Sequence, residues 1–235
     1  MSGVLYVVPN LLGAVPAIDV LPARTLETAR STHHWVVETP KAARAFLATV
    51  GMPVPIARLD IRALSDAPTA PELDDLLKPA RDGLPLGMLS DAGCPGVADP
   101  GAALVAAAHA GGIRVVPLVG PSAVLLALMA SGLNGQDFAF HGYLPQEAAA
   151  RNAALRRLEA DARSGRRTQL FIETPYRNVA LLTAMVATLQ PATRICVAVD
   201  LTLPTESVLM MPAAAWRKRD LAAYAKRPAL FALLA

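Results

Sequence analysis

The chain has 235 residues, and its 54% hydrophobic content is ample for the core of one or two domains. Lys and Arg number 22 against 19 Asp and Glu, and the resulting net charge of +3 is too small to predict nucleic-acid binding by itself. Cys94 and Cys196 lie far apart and outside any CxxC or Cys/His pattern, which argues against a disulfide framework or a metal site. Low cysteine use fits a reducing compartment, so we expect a cytoplasmic protein.

A charge-free segment from Val115 to Leu133 is long enough, on residue count alone, to cross a bilayer. Pro117, Gly120 and Pro121 divide it into a short β-rich run and a helical run. The sequence therefore predicts a strand followed by a helix, and no membrane span.

Short apolar or β-branched runs alternate with Ala- and Leu-rich stretches of helical length. The predicted strands are VLYVV (4–8), HWVVE (34–38), LPLGMLS (84–90), IRVVPLV (113–119), QLFIE (169–173), RICVAV (194–199) and ALFALL (229–234). This alternation predicts an α/β fold with largely parallel sheets.

The stretch LSDAGCPGVADPG, residues 89–101, follows a predicted strand and is rich in Gly, Pro and Asp. We predict a loop with Asp99 as the N-cap of the next helix and Pro100 as its first residue. Ligands bind outside the carboxyl ends of strands in open α/β sheets, so we predict a binding role for Asp91, against the alternative of a structural Asx-turn.

Four further junctions contain turn residues. In VGPSAVLL we expect Ser122 to cap a helix that ends at Gly132, and we expect HGYLPQ (141–146) to form a loop. His141 fits a turn histidine better than a base. Two similar stretches, VVETPKAARAF (36–46) and FIETPYRNVAL (171–181), both predict a strand, then a Thr cap, then a helix that begins with Pro.

Six arginines fall within one segment: Arg151, Arg156, Arg157, Arg163, Arg166 and Arg167. A solvated helix face followed by a loop explains them, and a surface for RNA phosphates or an anionic substrate is the alternative. The sequence lacks GxGxxG, GxxxxGK[ST], GxSxG and HExxH, which argues against ordinary dinucleotide enzymes, P-loop enzymes, elbow-type hydrolases and zinc sites.

The run D-A-G-x-P-x-x-x-D-P-G and the G-P-S-A junction, followed by FAFHGYLP and FIETPYRN, resemble the tetrapyrrole-methylase superfamily of S-adenosylmethionine-dependent methyltransferases. The most similar branch 2′-O-methylates a ribose of cytidine in small-subunit ribosomal RNA. The resemblance implies two α/β domains, residues 1–118 and 119–235, with the cofactor cleft between them. It also implies a homodimer. The first domain would provide the substrate side and part of the cofactor site, which the second would complete.

The resemblance also implies site residues. The cofactor would contact Ser90, Asp91, Ala92, Gly93, Val97, Ser122, Ala123, Gly142, Tyr143, Leu144, Thr174 and Pro175. Glu38 and Glu173 end the strands of the two ETP stretches, and either could be the base that takes the proton of an oxygen nucleophile. Asn10, Lys41 and Arg177 are candidates for the substrate side. No metal is expected.

Two loops depart from the pattern of this branch. Pro9–Gly13 replaces a Thr-Pro-Ile-Gly-Asn type loop, and Glu38–Lys41 replaces Glu-Asp-Thr-Arg. We therefore keep two alternatives open: a methyltransferase that acts on a tetrapyrrole or another small molecule, and a protein that binds S-adenosylmethionine without catalysis.

Overall fold

The structure, a computed structural model, describes residues 3–235 and forms two compact units. The first unit ends at Ser122 and the second spans Ala123–Ala235. The functional role of each unit stays a prediction.

The first unit is built on a parallel sheet with helices between its strands. Its elements are β1 (Val4–Val7), α1 (Ala17–Val20), α2 (Ala23–Ser31), β2 (His34–Val37), α3 (Pro40–Val50), β3 (Asp60–Ala63), α4 (Ala70–Leu76), α5 (Lys78–Arg81), β4 (Leu86–Leu89), α6 (Gly101–Ala110) and β5 (Arg114–Pro117). The strand order is β3-β2-β4-β1-β5, and every pairing is parallel. All strands therefore end at the same edge of the sheet.

Both faces of the interior strands β2 and β4 are buried, as expected of a parallel sheet, whereas the edge strands β3 and β5 are partly exposed. Successive residues of β2 point to opposite faces: Trp35 and Val37 belong to one apolar cluster with Phe46 and Leu47 of α3. Val36 belongs to a second cluster, which includes Leu104 of α6. This burial explains why the sequences of the interior strands are continuous apolar runs.

The second unit carries a mixed sheet. Its elements are α7 (Ala123–Ser131), β6 (Phe138–Tyr143), α8 (Ala148–Gly165), β7 (Thr168–Glu173), α9 (Asn178–Thr188), β8 (Arg194–Val199), β9 (Ser207–Pro212), α10 (Ala213–Trp216) and β10 (Ala229–Leu234). The strand order is β6-β7-β10-β8-β9, in which β6 and β7 are parallel and the other pairings are antiparallel. The predicted parallel arrangement thus holds for the first sheet only, because β8 and β9 are joined by a short turn instead of a helix.

All seven predicted strands form, and within residues 3–235 three further strands were missed: β3, β6 and β9. The prediction of a loop over HGYLPQ is wrong for His141–Tyr143, which end β6. Gly142 has φ +62°, and the register with β7 shifts between Phe140 and Tyr143. This irregularity interrupts the period-two alternation by which a strand is recognised in sequence.

The segment weighed as a membrane span contributes β5 and α7, which occupy separate parts of it. Among the helices of residues 3–235, none has the length and apolar character that crossing a bilayer requires.

Gly87 of β4 pairs with Trp35 of β2, and the indole ring lies against it. A Cβ added at Gly87 would lie 2.5 Å from Cε3 and Cζ3 of Trp35, which is 1% exposed and closely packed. We expect Gly87→Ala to lower the free energy of unfolding by about 3 kcal/mol in a urea titration. Gly135→Ala is the matched control, since a Cβ there meets nothing within 4 Å. Equal stability of the two variants would contradict the prediction.

Candidate functional site

Three loops of the first unit meet where β1, β2 and β4 end. The side-chain amide of Asn10, after β1, donates to the backbone carbonyls of Ser90 (2.8 Å) and Asp91 (3.0 Å), after β4. Asn10 is 5% exposed, and its own N–H donates to the carbonyl of Gly93 at 2.8 Å. Asn10 therefore holds the start of the 89–101 loop, whereas the sequence resemblance implies a place on the substrate side.

The Asp91 carboxylate is held by the loop after β2. The Thr39 N–H donates to Asp91 Oδ1 at 3.1 Å, and the Thr39 hydroxyl donates to Oδ2 at 2.8 Å. The Asp91 side chain is exposed, so each oxygen keeps a lone pair for a ligand that donates a hydrogen bond.

Glu38 joins the same network from the end of β2. Its Oε2 accepts the backbone N–H of Asp91 at 2.9 Å, while Oε1 makes no hydrogen bond within the described residues. The pKa of Glu38 is raised, and burial of the side chain is the largest cause. The hydrogen bond from the Asp91 N–H lowers the pKa, whereas the negative charges of Asp91, Asp99 and Asp66 raise it further. A small cavity of about 10 Å³ beside Glu38 is lined by Met88, Ser90 and Asp99 among others. A half-buried carboxyl with a raised pKa and a free oxygen is suited to accept a proton.

Turns in the 89–101 loop depend on two glycines with positive φ, Gly93 at +68° and Gly96 at +83°. Asp99 accepts the N–H groups of Gly96 (2.8 Å) and Gly101 (2.8 Å), so its carboxylate closes the loop onto the first residue of α6. The predicted N-cap is displaced by one residue, because α6 begins at Gly101 and Pro100 occupies the cap position.

The remaining predicted site residues of the first unit differ in their exposure to solvent. Ala92 and Val97 are exposed, with Val97 at 47%, whereas Gly93 is buried and Ser90 donates its hydroxyl to the carbonyl of Ala92 at 3.2 Å. Lys41 is exposed in the first turn of α3. Ser122 directly precedes α7.

Cys94 contacts the carbonyl of Pro121 through its sulfur at 3.5 Å. Burial raises the pKa of the Cys94 thiol, which disfavours the reactive thiolate. Its surroundings are those of a small turn residue.

In the second unit, Glu173 is the last residue of β7, and its carboxylate makes an ion pair and hydrogen bonds with neighbouring residues. Its side chain is 2% exposed, and Oε1 accepts from Arg177 Nε at 2.8 Å, from Arg177 Nη2 at 2.6 Å and from the Thr174 N–H at 2.6 Å. These contacts favour a structural role for Glu173, and its role as a base stays a prediction.

The second ETP stretch does not repeat the helix start of the first. Thr39 is the N-cap residue of α3 and Pro40 its first residue, as predicted, but the Thr39 hydroxyl donates to Asp91 instead of capping the helix. After Glu173, Thr174 and Pro175 form a turn in which the Arg177 N–H donates to the Thr174 carbonyl at 2.9 Å. The helix α9 therefore begins at Asn178, three residues later than Pro175 predicts.

Tyr143 and Leu144 line an open groove of about 480 Å³ in the second unit, together with His141, Pro145 and Arg157. Tyr143 is 55% exposed and Leu144 is buried. His141 Nε2 lies 2.6 Å from Gln169 Oε1, which agrees with a satisfied histidine. Ala123 is the first residue of α7. Within residues 3–235, no group of three or more His, Cys, Asp or Glu side chains could hold a metal ion.

Sequence reasoning missed the pairing of Thr39 with Asp91. The two residues are 52 positions apart, and the capping preference of Thr offered a sufficient local explanation. A usable signal existed, because Thr39 and Asp91 each directly follow a predicted strand, and the two strands are predicted to be parallel.

Comparison with solved structures identifies the fold. The methyltransferase CobJ superposes with a TM-score of 0.65 at 20% identity over 99% of this chain and 94% of that one. Uroporphyrin-III-C-methyltransferase from Thermus thermophilus gives 0.59 at 19% identity over 100% and 93%. The fold is that of the tetrapyrrole methyltransferases, as the sequence motifs predict.

Sequence comparison is more specific. Ribosomal RNA small subunit methyltransferase I of Escherichia coli O157:H7 is 34% identical over 229 residues, which cover 93% of this chain and 73% of the relative. The protein of the same description from Vibrio cholerae serotype O1 is 32% identical over 211 residues, 90% of this chain and 69% of the relative. No protein-family model matches the chain. The chain belongs to the ribosomal RNA small subunit methyltransferase I family, which confirms the resemblance seen in its sequence motifs.

Proposed function

We propose that this protein transfers a methyl group from S-adenosylmethionine to the 2′-oxygen of a ribose in small-subunit ribosomal RNA. The observation that carries the proposal is the network of Asn10, Glu38, Thr39 and Asp91, which stands at the carboxyl edge of the first sheet. Membership of the family supports the substrate class. We further propose that the protein acts in the cytoplasm as a homodimer, in line with the family resemblance.

The first unit fits S-adenosylmethionine by the chemistry of its exposed groups. The cofactor carries an amine and ribose hydroxyls, which donate hydrogen bonds, and the Asp91 carboxylate is exposed and has acceptor capacity left. Ala92 and Val97 offer apolar surface on the same loop. We propose that Ser90, Asp91, Ala92, Gly93, Val97 and Ser122 hold the cofactor in this unit.

In the second unit, we propose cofactor contacts from Ala123, Gly142, Tyr143, Leu144, Thr174 and Pro175. Gly142, near the end of β6, has a positive φ, which glycine adopts readily because it has no Cβ. The space beside it is open, since nothing lies within 4 Å of where a Cβ would be. Tyr143 supplies exposed aromatic surface.

The cofactor supplies an activated methyl group, and the protein supplies position, acceptors and exclusion of water. Glu38 is our proposed base: its free Oε1 can accept the proton of the attacking hydroxyl, while Oε2 stays on the Asp91 N–H. Lys41 is an exposed cation that can contact an RNA phosphate near Glu38. Arg177 keeps Nη1 for an anionic group while its other nitrogens hold Glu173.

Two measurements on the purified protein test this proposal. Calorimetric titration with S-adenosylhomocysteine, the product, should show saturable binding near one site per chain. Incubation of small ribosomal subunits with methyl-labelled cofactor should then label a ribose. Absence of binding would overturn the cofactor assignment. Binding with label transferred to a tetrapyrrole instead of RNA would favour the small-molecule alternative, and binding without any transfer would favour the non-catalytic one.

Replacing Thr39 with Val removes the hydroxyl that holds Asp91 Oδ2 and keeps both the side-chain volume and the backbone N–H contact. Because the carboxylate is then held only by the Thr39 N–H and its orientation is less restricted, we expect S-adenosylhomocysteine to bind about three- to tenfold more weakly in calorimetry. Thr49→Val is the matched control, since that hydroxyl donates only to the Ala45 carbonyl within α3. Unchanged affinity in the Thr39 variant would show that cofactor binding does not depend on the hydrogen bond from the Thr39 hydroxyl to Asp91, and would contradict the prediction.

A further inference from the structure

A second pocket, of about 510 Å³, opens at one end of the sheet in the second unit. The turn after α7 contributes Asn134 and Gln136, the residue after α8 is Arg166, and β8 begins with Arg194. The remaining lining residues are Gly132, Leu133 and Leu234. Two guanidinium groups and two side-chain amides thus share one open concavity that contains no acidic side chain.

The two arginines of this pocket are not engaged by the protein. Within the described residues, neither Arg166 nor Arg194 makes an ion pair or a side-chain hydrogen bond. The neighbouring Arg167 differs, because its Nε donates to Asp137 at 2.7 Å. That pair also neutralises Asp137, the acidic residue next to Gln136 in sequence. The pocket lining therefore has two guanidinium groups and no acidic side chain.

The backbone fixes the position of Arg166. This residue follows α8 in the left-handed conformation, with φ +50°, and its carbonyl accepts the Asn134 amide at 2.7 Å. A non-glycine residue has a conformational cost there, and Asn or Gly would fit the position better. Interaction with the helix dipole can explain a cation at the end of α8, but it does not explain Arg194, which lies on a strand.

The pocket lies at the opposite end of the sheet from the Glu173 turn. Thr168, at the start of β7, donates its hydroxyl to the Asn134 carbonyl, whereas Glu173 is the last residue of the same strand. Six residues of strand span about 20 Å. The pocket is thus separate from the second unit's proposed cofactor residues, and only a long ligand could contact both places.

The arginines of the arginine-rich segment have different surroundings. Arg151 donates to the carbonyl of Gln146, Arg157 lines the groove beside Tyr143, and Arg167 is paired with Asp137. Arg156, Arg163 and Arg166 are exposed, and of these three only Arg166 lines the pocket. The structure adds Arg194, which is 28 residues further along the chain.

We propose that Arg166 and Arg194, with the amides of Asn134 and Gln136, bind a backbone phosphate of the RNA substrate at a distance from the methylated ribose. The choice of RNA rests on the proposed function. Guanidinium groups bind phosphate oxygens bidentately, and amide groups add hydrogen bonds to phosphate and sugar. An open pocket without aromatic walls suits a backbone segment better than a stacked base.

The test compares Arg166→Gln/Arg194→Gln with the unaltered protein. The probe is a single-stranded RNA oligonucleotide, and binding is followed by fluorescence anisotropy over a series of salt concentrations. We expect the dissociation constant to rise about tenfold or more at low salt, and the slope of log affinity against log salt to fall by about 0.7 for each phosphate that the variant no longer neutralises. The affinity for S-adenosylhomocysteine should not change, because the pocket lies apart from the proposed cofactor residues.

The matched control is Arg58→Gln/Arg114→Gln, which removes the same charge from exposed positions in the first unit. An equal loss of RNA affinity in both double variants would show a general charge effect and overturn the pocket. The proposal also fails if the Arg166/Arg194 variant retains the affinity and salt slope of the unaltered protein, if inorganic phosphate alone binds there while RNA does not, or if the unaltered protein binds no RNA. Because S-adenosylhomocysteine binding is measured separately, these failures remain distinguishable from failure of the cofactor assignment. Thermal unfolding of each variant identifies any loss that comes from misfolding.

Discussion

Replacing Arg177 with Met is expected to lower the free energy of unfolding by about 2–3 kcal/mol. The change leaves the Glu173 carboxylate, whose side chain is 2% exposed, without its cation and with only the Thr174 N–H. Breaking a fully buried pair costs about 3–5 kcal/mol, and we expect less here because the Arg177 side chain is 33% exposed. Urea unfolding gives the loss, and hydrogen exchange of the β7 and α9 amides locates it.

The matched control is Arg167→Met. Arg167 also pairs with a carboxylate, that of Asp137, but the two side chains are 50% and 42% exposed, so its loss should stay below about 1 kcal/mol. Adding Glu173→Gln to the Arg177 variant should restore much of the stability, because a neutral amide is less costly to bury than an unpaired carboxylate. If Arg177→Met instead unfolds like the unaltered protein while the KM for RNA rises, Arg177 acts on the substrate as the sequence predicts.

The second large effect concerns turnover. We expect Glu38→Gln to lower the rate constant of methyl transfer by about 100- to 10,000-fold, the usual contribution of a positioned base. Gln keeps an oxygen for the Asp91 N–H, so the affinity for S-adenosylhomocysteine should stay within about twofold. The measurement is methyl transfer to small ribosomal subunits under single-turnover conditions, with Glu27→Gln, at an exposed position of α2, as the control.

The pH dependence separates a base from a structural acid. Because burial raises the pKa of Glu38, transfer by the unaltered protein should rise as pH increases through a value above that of an ordinary glutamate. The Gln variant should lose this acid limb. A carboxyl whose folded pKa is raised opposes folding once it is ionised, so the Gln variant should be no less stable at neutral pH. An unchanged rate and pH profile would exclude Glu38 as the base.

We propose Glu38 as the base and favour a structural role for Glu173, and the reason for this difference is not visible in the sequence. Both end strands and both precede Thr-Pro, and sequence reasoning treats them alike. In the structure Glu38 contacts a backbone N–H from another loop and keeps one oxygen free, whereas the guanidinium of Arg177 holds Glu173. The spacing Glu173 to Arg177 allows this pair, but only the turn at Thr174 brings the two groups together.

Local chemistry in the sequence by itself determined the seven predicted strands, the turn-rich loop after β4 and the α/β class. Apolar periodicity and the conformational preferences of Gly and Pro act over a few residues, so these features can be recognised without knowing the fold. Only the tertiary structure decided the edge strand β3, the bulged β6, the antiparallel strands of the second sheet and the contact between Thr39 and Asp91. Each of these depends on pairing between residues far apart in the chain, and local preference does not specify which distant partner completes the hydrogen bonds.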